Sequence, residues 1–176
     1  RLADAAAHLD LMSHFAVSFG QLGGHVHRCP ADGLDAAVAE ACAGRGPVLF
    51  DERFARTLGG HEALSWPTCG LDAAATAVVG VVPATAAIAS TGSIVVDSDR
   101  VGRLVSLLPR VAVFVIDPAT IVRLTGDVLR DASRWWPHGL PTNVVLVSGP
   151  SRSADIEMSL VVDVHGPGEV HAILAG

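Results

Sequence analysis

Apolar residues fall along this chain in two rhythms. One has the period of a helix. The other is the unbroken run of a strand covered on both faces. Leu2, Ala6, Leu9, Met12 and Phe15 keep helical spacing, which turns ragged at Val17 and Phe19 before Gly23-Gly24 stops it. His25-Val26-His27-Arg28-Cys29 alternates and predicts a short strand with both histidines on one side. Asp32 opens a second helix through Ala43, with Leu34, Ala37, Val38 and Ala41 as its stripe. Val48-Leu49-Phe50 reads as a buried strand, residues 52–58 as a short helix, and residues 59–71 as an irregular loop around Trp66-Pro67.

The second half is more strongly patterned. Residues 75–82 predict a fully buried strand, 84–89 a helical turn, 92–97 a strand and 103–107 another. Val111 to Ile116 is the clearest central strand. Asp117-Pro118 then opens a helix to about Ser133, because proline suits a first helical turn. Val144 to Val147 predicts a strand inside the same sheet, residues 154–160 a short helix, and Val170 to Leu174 a last strand. This alternation predicts one α/β domain over residues 1–176, with a mostly parallel central sheet and helices on both faces.

Composition narrows the function classes. A chain of 176 residues, half of them apolar and 17% charged, can bury a full core. A net charge of -6 argues against nucleic acid. The longest apolar candidate, residues 73–89, is broken by Gly80 and Pro83, so no membrane span is expected. All basic residues are Arg, which excludes a Schiff-base lysine, a P-loop lysine and a lysine base. Cys29, Cys42 and Cys69 are dispersed, with no Cys-x-x-Cys pair. No metal site and no cofactor is expected, and buried thiols in a reducing cytoplasm are. The chain opens at Arg1 without Met and shows no signal-peptide pattern, so its true start is taken to be missing.

The candidate chemistry gathers where the Val144–Val147 strand runs into Ser148-Gly149-Pro150-Ser151-Arg152-Ser153. Small residues let backbone approach a ligand, and Ser151 or Ser153 can cap the expected helix. The helix N-terminus and the Arg152 fork both favour an anion. Asp155 would sit in the first turn of that helix, where the dipole favours its charge. A second small-residue turn, Thr91-Gly92-Ser93, can complete the cradle. Glu157, beside Met158 and Leu160, is a candidate acid or base, and so is His165, at the end of an apolar run. The bland readings are a capped turn with a paired Arg152, a structural carboxylate and a structural histidine.

From Val78 to Gly176 the chain resembles the LUD (lactate-utilisation) domain family, and specifically its short, LutC-like members. The resemblance is carried by Ala89-Ser90-Thr91-Gly92-Ser93, by residues 103–109, above all by Ser148-Gly149-Pro150-Ser151-Arg152-Ser153-Ala154-Asp155-Ile156-Glu157, and by Val164-His165-Gly166-Pro167. Ser90 stands where the family usually has Glu, so no catalytic role is carried over to that position. The resemblance implies a NagB/RpiA/CoA-transferase-like fold. It also implies an accessory role in oxidising L-lactate to pyruvate beside iron–sulfur partner subunits, with a small anionic metabolite or a partner's cofactor region as ligand. Two other readings stay open: a stand-alone isomerase, CoA transferase or cyclo-ligase acting on a phosphorylated or carboxylated metabolite, and a non-catalytic metabolite sensor. Whether the chain is an enzyme is left open.

Overall fold

The computed structural model describes residues 2–42, 44–51, 62–98, 102–154, 160–162 and 166–176. Asp155, Glu157, His165 and the expected helix at 52–58 lie outside these residues. In chain order the elements are α1 (Leu2–Gln21), β1 (His25–Cys29), α2 (Leu34–Cys42), β2 (Val48–Asp51), β3 (Ala63–Trp66), α3 (Gly70–Ala74), β4 (Val79–Pro83), β5 (Ala86–Ile88) and β6 (Ser93–Asp97). Then follow α4 (Arg103–Leu107), β7 (Val111–Ile116), β8 (Ile121–Val122), α5 (Thr125–Arg130), α6 (Ala132–Trp135), β9 (Val144–Val147), β10 (Arg152–Ala154), β11 (Leu160–Val162) and β12 (Glu169–Ala175).

Strand β7 has no polar side chain to give to water, and it lies deep in a six-stranded sheet of order β1-β12-β7-β4-β2-β3. Every neighbouring pair in that sheet is parallel. One face carries Val48, Phe50, Val79, Val81, Val111, Val113 and Ile173, and α2 covers it with the stripe Leu34, Ala37, Val38 and Ala41. The other face packs on Phe15 and Phe19 of α1, Val105 of α4 and the inner side of a second sheet. That second sheet has the order β8-β5-β6-β9. Its outer side, with Ala86, Ile88 and Val95, is closed by Val128, Trp135 and Trp136 from α5 and α6. The molecule is thus layered as helix, parallel sheet, mixed sheet and helix, with α1 and α4 wedged beside the inner sheet.

The fold class stands as expected, and several elements do not. Val144–Val147 is not inside the parallel sheet. It is the edge strand β9 of the second sheet, antiparallel to β6, with Val144 41% and Leu146 47% exposed. An apolar run there reads as doubly buried, although one side faces an open cleft. Residues 84–89 contain the strand β5, because Ala86–Ile88 pairs with β6 through the Ser90–Gly92 turn. Residues 103–107 are helix α4: its Val105 packs so closely on β4 that a side chain at Gly80 would meet the Val105 carbonyl. The helix expected from Pro118 lasts one 3-10 turn, since β-branched Ile121-Val122 joins β5 as β8. The chain re-enters helix only at α5, where the Asp127 carboxylate accepts from Leu124 N at 2.9 Å. The expected loop at 59–71 contains β3, and the strand expected from Ala75 begins at Val79, after α3. The helix expected at 154–160 is replaced at both ends by strand, because Arg152–Ala154 pairs antiparallel with Leu160–Val162.

Candidate functional site

The two small-residue turns do meet. Strand β9 pairs with β6 so that Val147 lies opposite Ile94, which brings the next residue, Ser148, beside Ser93. Ser93 is buried, and its Oγ lies 2.7 Å from Thr91 Oγ1 and 2.8 Å from Ser148 Oγ. Three hydroxyl hydrogens serve two contacts, so the set keeps one donor for another acceptor.

Both turns are clasped against the end of α1. Gly92 has a positive φ of 59°, and a Cβ there would stand 2.5 Å from the Phe19 backbone nitrogen. Gly149, with φ of 93°, lies as tightly against Leu22. Arg152 Nη2 donates to the Leu22 carbonyl at 2.9 Å, placing a cation at the carboxyl end of a helix. Ser151 N donates to the Pro167 carbonyl at 2.8 Å. Thr91, Ser93 and Ser148 are therefore joined directly, Gly92, Gly149 and Arg152 each meet the end of α1, and Ser151 is tied to Pro167. For Ser153 only the backbone, in β10, is described.

Two supports expected for an anion cradle are different in the structure. The turn does not open a helix at Ala154, so no helix N-terminus starts there. It also does not follow a strand of the parallel sheet. The turn contacts the segments that lead into β1 and β12, at the amino end of that sheet. The rule that places ligands at the carboxyl ends of parallel strands does not reach it.

Sequence reasoning missed three other places. Asp97, buried at the end of β6, accepts from the Thr85 hydroxyl and, at 3.0 Å, from Trp136 Nε1. Asp51, equally buried, ends β2 and accepts from Gly102 N at 2.9 Å, under Trp66. Both stand beside apolar runs, which hid them. The third place is an apolar cleft of about 350 Å³ on the outer side of the second sheet, walled by Trp136, Leu129, Leu140, Val144 and Leu146. No ionisable side chain lines it, so it suits an apolar group and not a small hydroxy acid.

At the other edge, His25, His27 and His171 stack across β1 and β12 at centroid separations of 4.9 and 5.1 Å. His171 joins His27 at 2.9 Å and Glu169 at 2.7 Å, and Arg45 pairs with Glu169 at 2.9 Å. Burial pulls the His171 imidazole below its ordinary range, helped by the nearby His25 and His27 and opposed by Glu169. For Glu169, burial pushes upward, but the bonds and charges of His171 and Arg45 outweigh it and hold the carboxyl below its usual value. The histidine pair on β1 was visible in the sequence. Its partner on β12 was not, because nothing local pairs residue 25 with residue 171. Among the described residues no group of three or more His, Cys, Asp or Glu is placed to hold a metal ion. Nor, among them, is any helix long and apolar enough to cross a membrane.

The two turns and the strands that bring them together fall within residues 69–175, the stretch matched by the family model of the LUD domain. The chain belongs to the LUD domain family. A lactate utilization protein C from Macrococcus caseolyticus is 38% identical over 136 residues, which is 70% of this chain and 59% of that protein. One from Bacillus licheniformis is 36% identical over 157 residues, 77% of this chain and 65% of that protein. This LUD domain thus spans less than two thirds of these relatives. In fold it is similar to a solved DUF162 family protein from Deinococcus radiodurans, with a TM-score of 0.79 and 21% identity over 96% of this chain and 98% of that one. Within the LUD match, the Thr91–Ser93 and Ser148–Arg152 turns are one place where distant segments bring polar side chains together.

Proposed function

We propose that the protein is an accessory component of L-lactate utilisation. It acts in the cytoplasm beside iron–sulfur subunits that carry the electrons. It binds a small anion, or the cofactor region of a partner, at the Thr91–Ser93 and Ser148–Arg152 turns. The observation that carries the reading is the identity with proteins named lactate utilization protein C over as much as 77% of this chain. The shared hydroxyl chain, with Arg152 in the same turn and held at the Leu22 carbonyl, supports the choice of site. Glu157 and His165 are acid–base candidates only if the protein is instead a stand-alone enzyme.

Deleting the gene in its host should abolish growth on L-lactate as sole carbon source and leave growth on pyruvate unchanged. Unimpaired growth on lactate would refute the role. For the site, Arg152→Ala should weaken binding of lactate, pyruvate or phosphate by roughly 1.5–3 kcal/mol, measured by calorimetry, and Arg152→Lys should recover only part.

A second reading, an enzyme of the same fold group, is favoured by buried Asp51 at the carboxyl end of β2, where parallel sheets hold ligands. Amide shifts decide between them. A metabolite that moves residues 48–51 and 79–85 but not 91–93 and 148–152 favours the enzyme.

A further inference from the structure

Three imidazoles lie together where β1, the edge strand of the parallel sheet, meets β12. Their hydrogen bonds fix one another's protons. The Glu169 carboxylate can only accept, so His171 Nε2 carries a hydrogen. A neutral His171 then offers the lone pair of Nδ1, and His27 Nε2 must donate to it. The chain runs His27 to His171 to Glu169, in a single direction, and Arg45 anchors its acidic end. A proton on His171 Nδ1 forces His27 to move its own hydrogen to Nδ1 and accept instead, and it adds charge between two stacked rings; with both rings charged, two donors would stand face to face at 2.9 Å.

Little nearby would absorb that charge. On β12 itself the one acidic neighbour is Glu169, already shared with Arg45. From β1 come His25 and His27, with the thiol of Cys29 farther along the same side, its pKa raised by burial and by Asp32. From β7 the register partners of Glu169 and His171 are Val111 and Val113, which carry no titratable group. From α2 comes the Cys42 thiol, neutral because burial pushes it up to about 11 against the pull of Arg45. Backbone pairing of β1 is one-sided among the described residues, since it borders only β12.

We infer that His25, His27 and His171 form a proton-operated latch, which holds β1 on the sheet when neutral and loosens it on acidification. Ordinary imidazoles change charge between about pH 5 and 8, so the latch works in a range that cells reach. It does not depend on the ligand reading, because no residue of the latch belongs to the two turns.

The test is hydrogen exchange on the whole chain, corrected for the intrinsic pH dependence of exchange. Between pH 7.5 and 5.5, amides of residues 25–29 should lose protection by roughly tenfold or more relative to those of 111–116. The double variant His25→Gln/His27→Gln keeps a donor toward His171 at position 27 and removes two titratable rings. Its β1 protection should then fall clearly less steeply with pH than that of the wild type, because only the buried His171 is left to titrate. In the wild-type chain, NMR of the His171 ring should show it taking its proton in the same pH interval in which β1 opens. The latch is overturned if residues 25–29 and 111–116 lose protection together. It is equally overturned if the double variant opens as the wild type does, or if His171 protonates while β1 stays closed.

Discussion

Asp97 shows how much one polar side chain can hold. It is 2% exposed and binds both the Thr85 hydroxyl and the Trp136 indole. Its removal leaves two buried donors without partners, each costing about 1–3 kcal/mol. Asp97→Ala should therefore lower unfolding free energy by roughly 3 kcal/mol or more, read by urea titration of tryptophan fluorescence. Gly92 makes a different demand. Its φ of 59° is open to glycine, and the space its Cβ would need is filled by backbone of α1. Gly92→Ala should cost about 2 kcal/mol or more and push α1 away from the Thr91 turn. Gly126, with nothing within 4 Å and no positive φ, should accept alanine at no cost in the same assay. Arg152 stands between these cases. Its bond to Leu22 predicts a stability loss of about 1 kcal/mol for Arg152→Ala, so the ligand experiment needs a folded-fraction control.

Helix α1 is tied down by its aromatic side chains. Phe15 and Phe19 are fully buried and stack at 5.4 Å, whereas Val17 between them is 59% exposed. Phe19→Ala should cost about 3–5 kcal/mol and Val17→Ala within about 0.5 kcal/mol, by the same denaturation measurement. The contrast also marks what the sequence can and cannot reveal. Phe15, Leu34, Val38 and the run 111–116 announced their elements because their partners are local or their burial is two-sided. The Ser148–Arg152 turn announced a polar meeting place, and its Ser148 hydroxyl does meet that of Ser93. What sequence could not reveal is which sheet a strand joins. Val144–Val147 has the composition of a central strand and the position of an edge one. Ala86–Ile88 and Arg103–Leu107 exchange their expected states because three-to-five-residue elements take their conformation from tertiary neighbours. Glu169 and His171 were unreadable for the same reason: their chemistry comes from Arg45 and His27, more than a hundred residues away in the chain.

For the folded molecule as a whole, two groups among the described residues contribute to the acid limb of stability. His171 has a folded-state pKa below its unfolded value, so the unfolded chain binds more protons in that interval. Stability is full above the unfolded imidazole value and falls as pH drops from there toward the folded one. Glu169 is also held low, so its contribution is present above the unfolded carboxylate value and is lost as pH falls through the folded one. Thermal or urea unfolding across pH 8 to 4 should therefore show a first decline from near pH 6.5 and a second below about 4.5. His171→Gln, compared at each pH, should remove the first and shrink the second, which then rests mainly on Arg45. A flat profile from pH 7 to 5 in the wild type would contradict the assignment.

The place of β12 has a consequence for synthesis. This strand lies between β1 and β7, and it is made last of the three, at residues 169–175. Until those seven residues leave the ribosome, β1 has no strand to pair with and β7 has an open edge. The nascent chain can assemble β2, β3, β4 and β7 under α2 and α4, but it carries His25–Cys29 unpaired until residues 169–175 have been made. A late-arriving strand that must enter a gap between two earlier ones leaves apolar surface uncovered for a long interval. Chaperone dependence of this protein should accordingly track the time its ribosomes need to reach residue 175, and slowing codons near residue 169 should raise aggregation more than the same codons placed near residue 60.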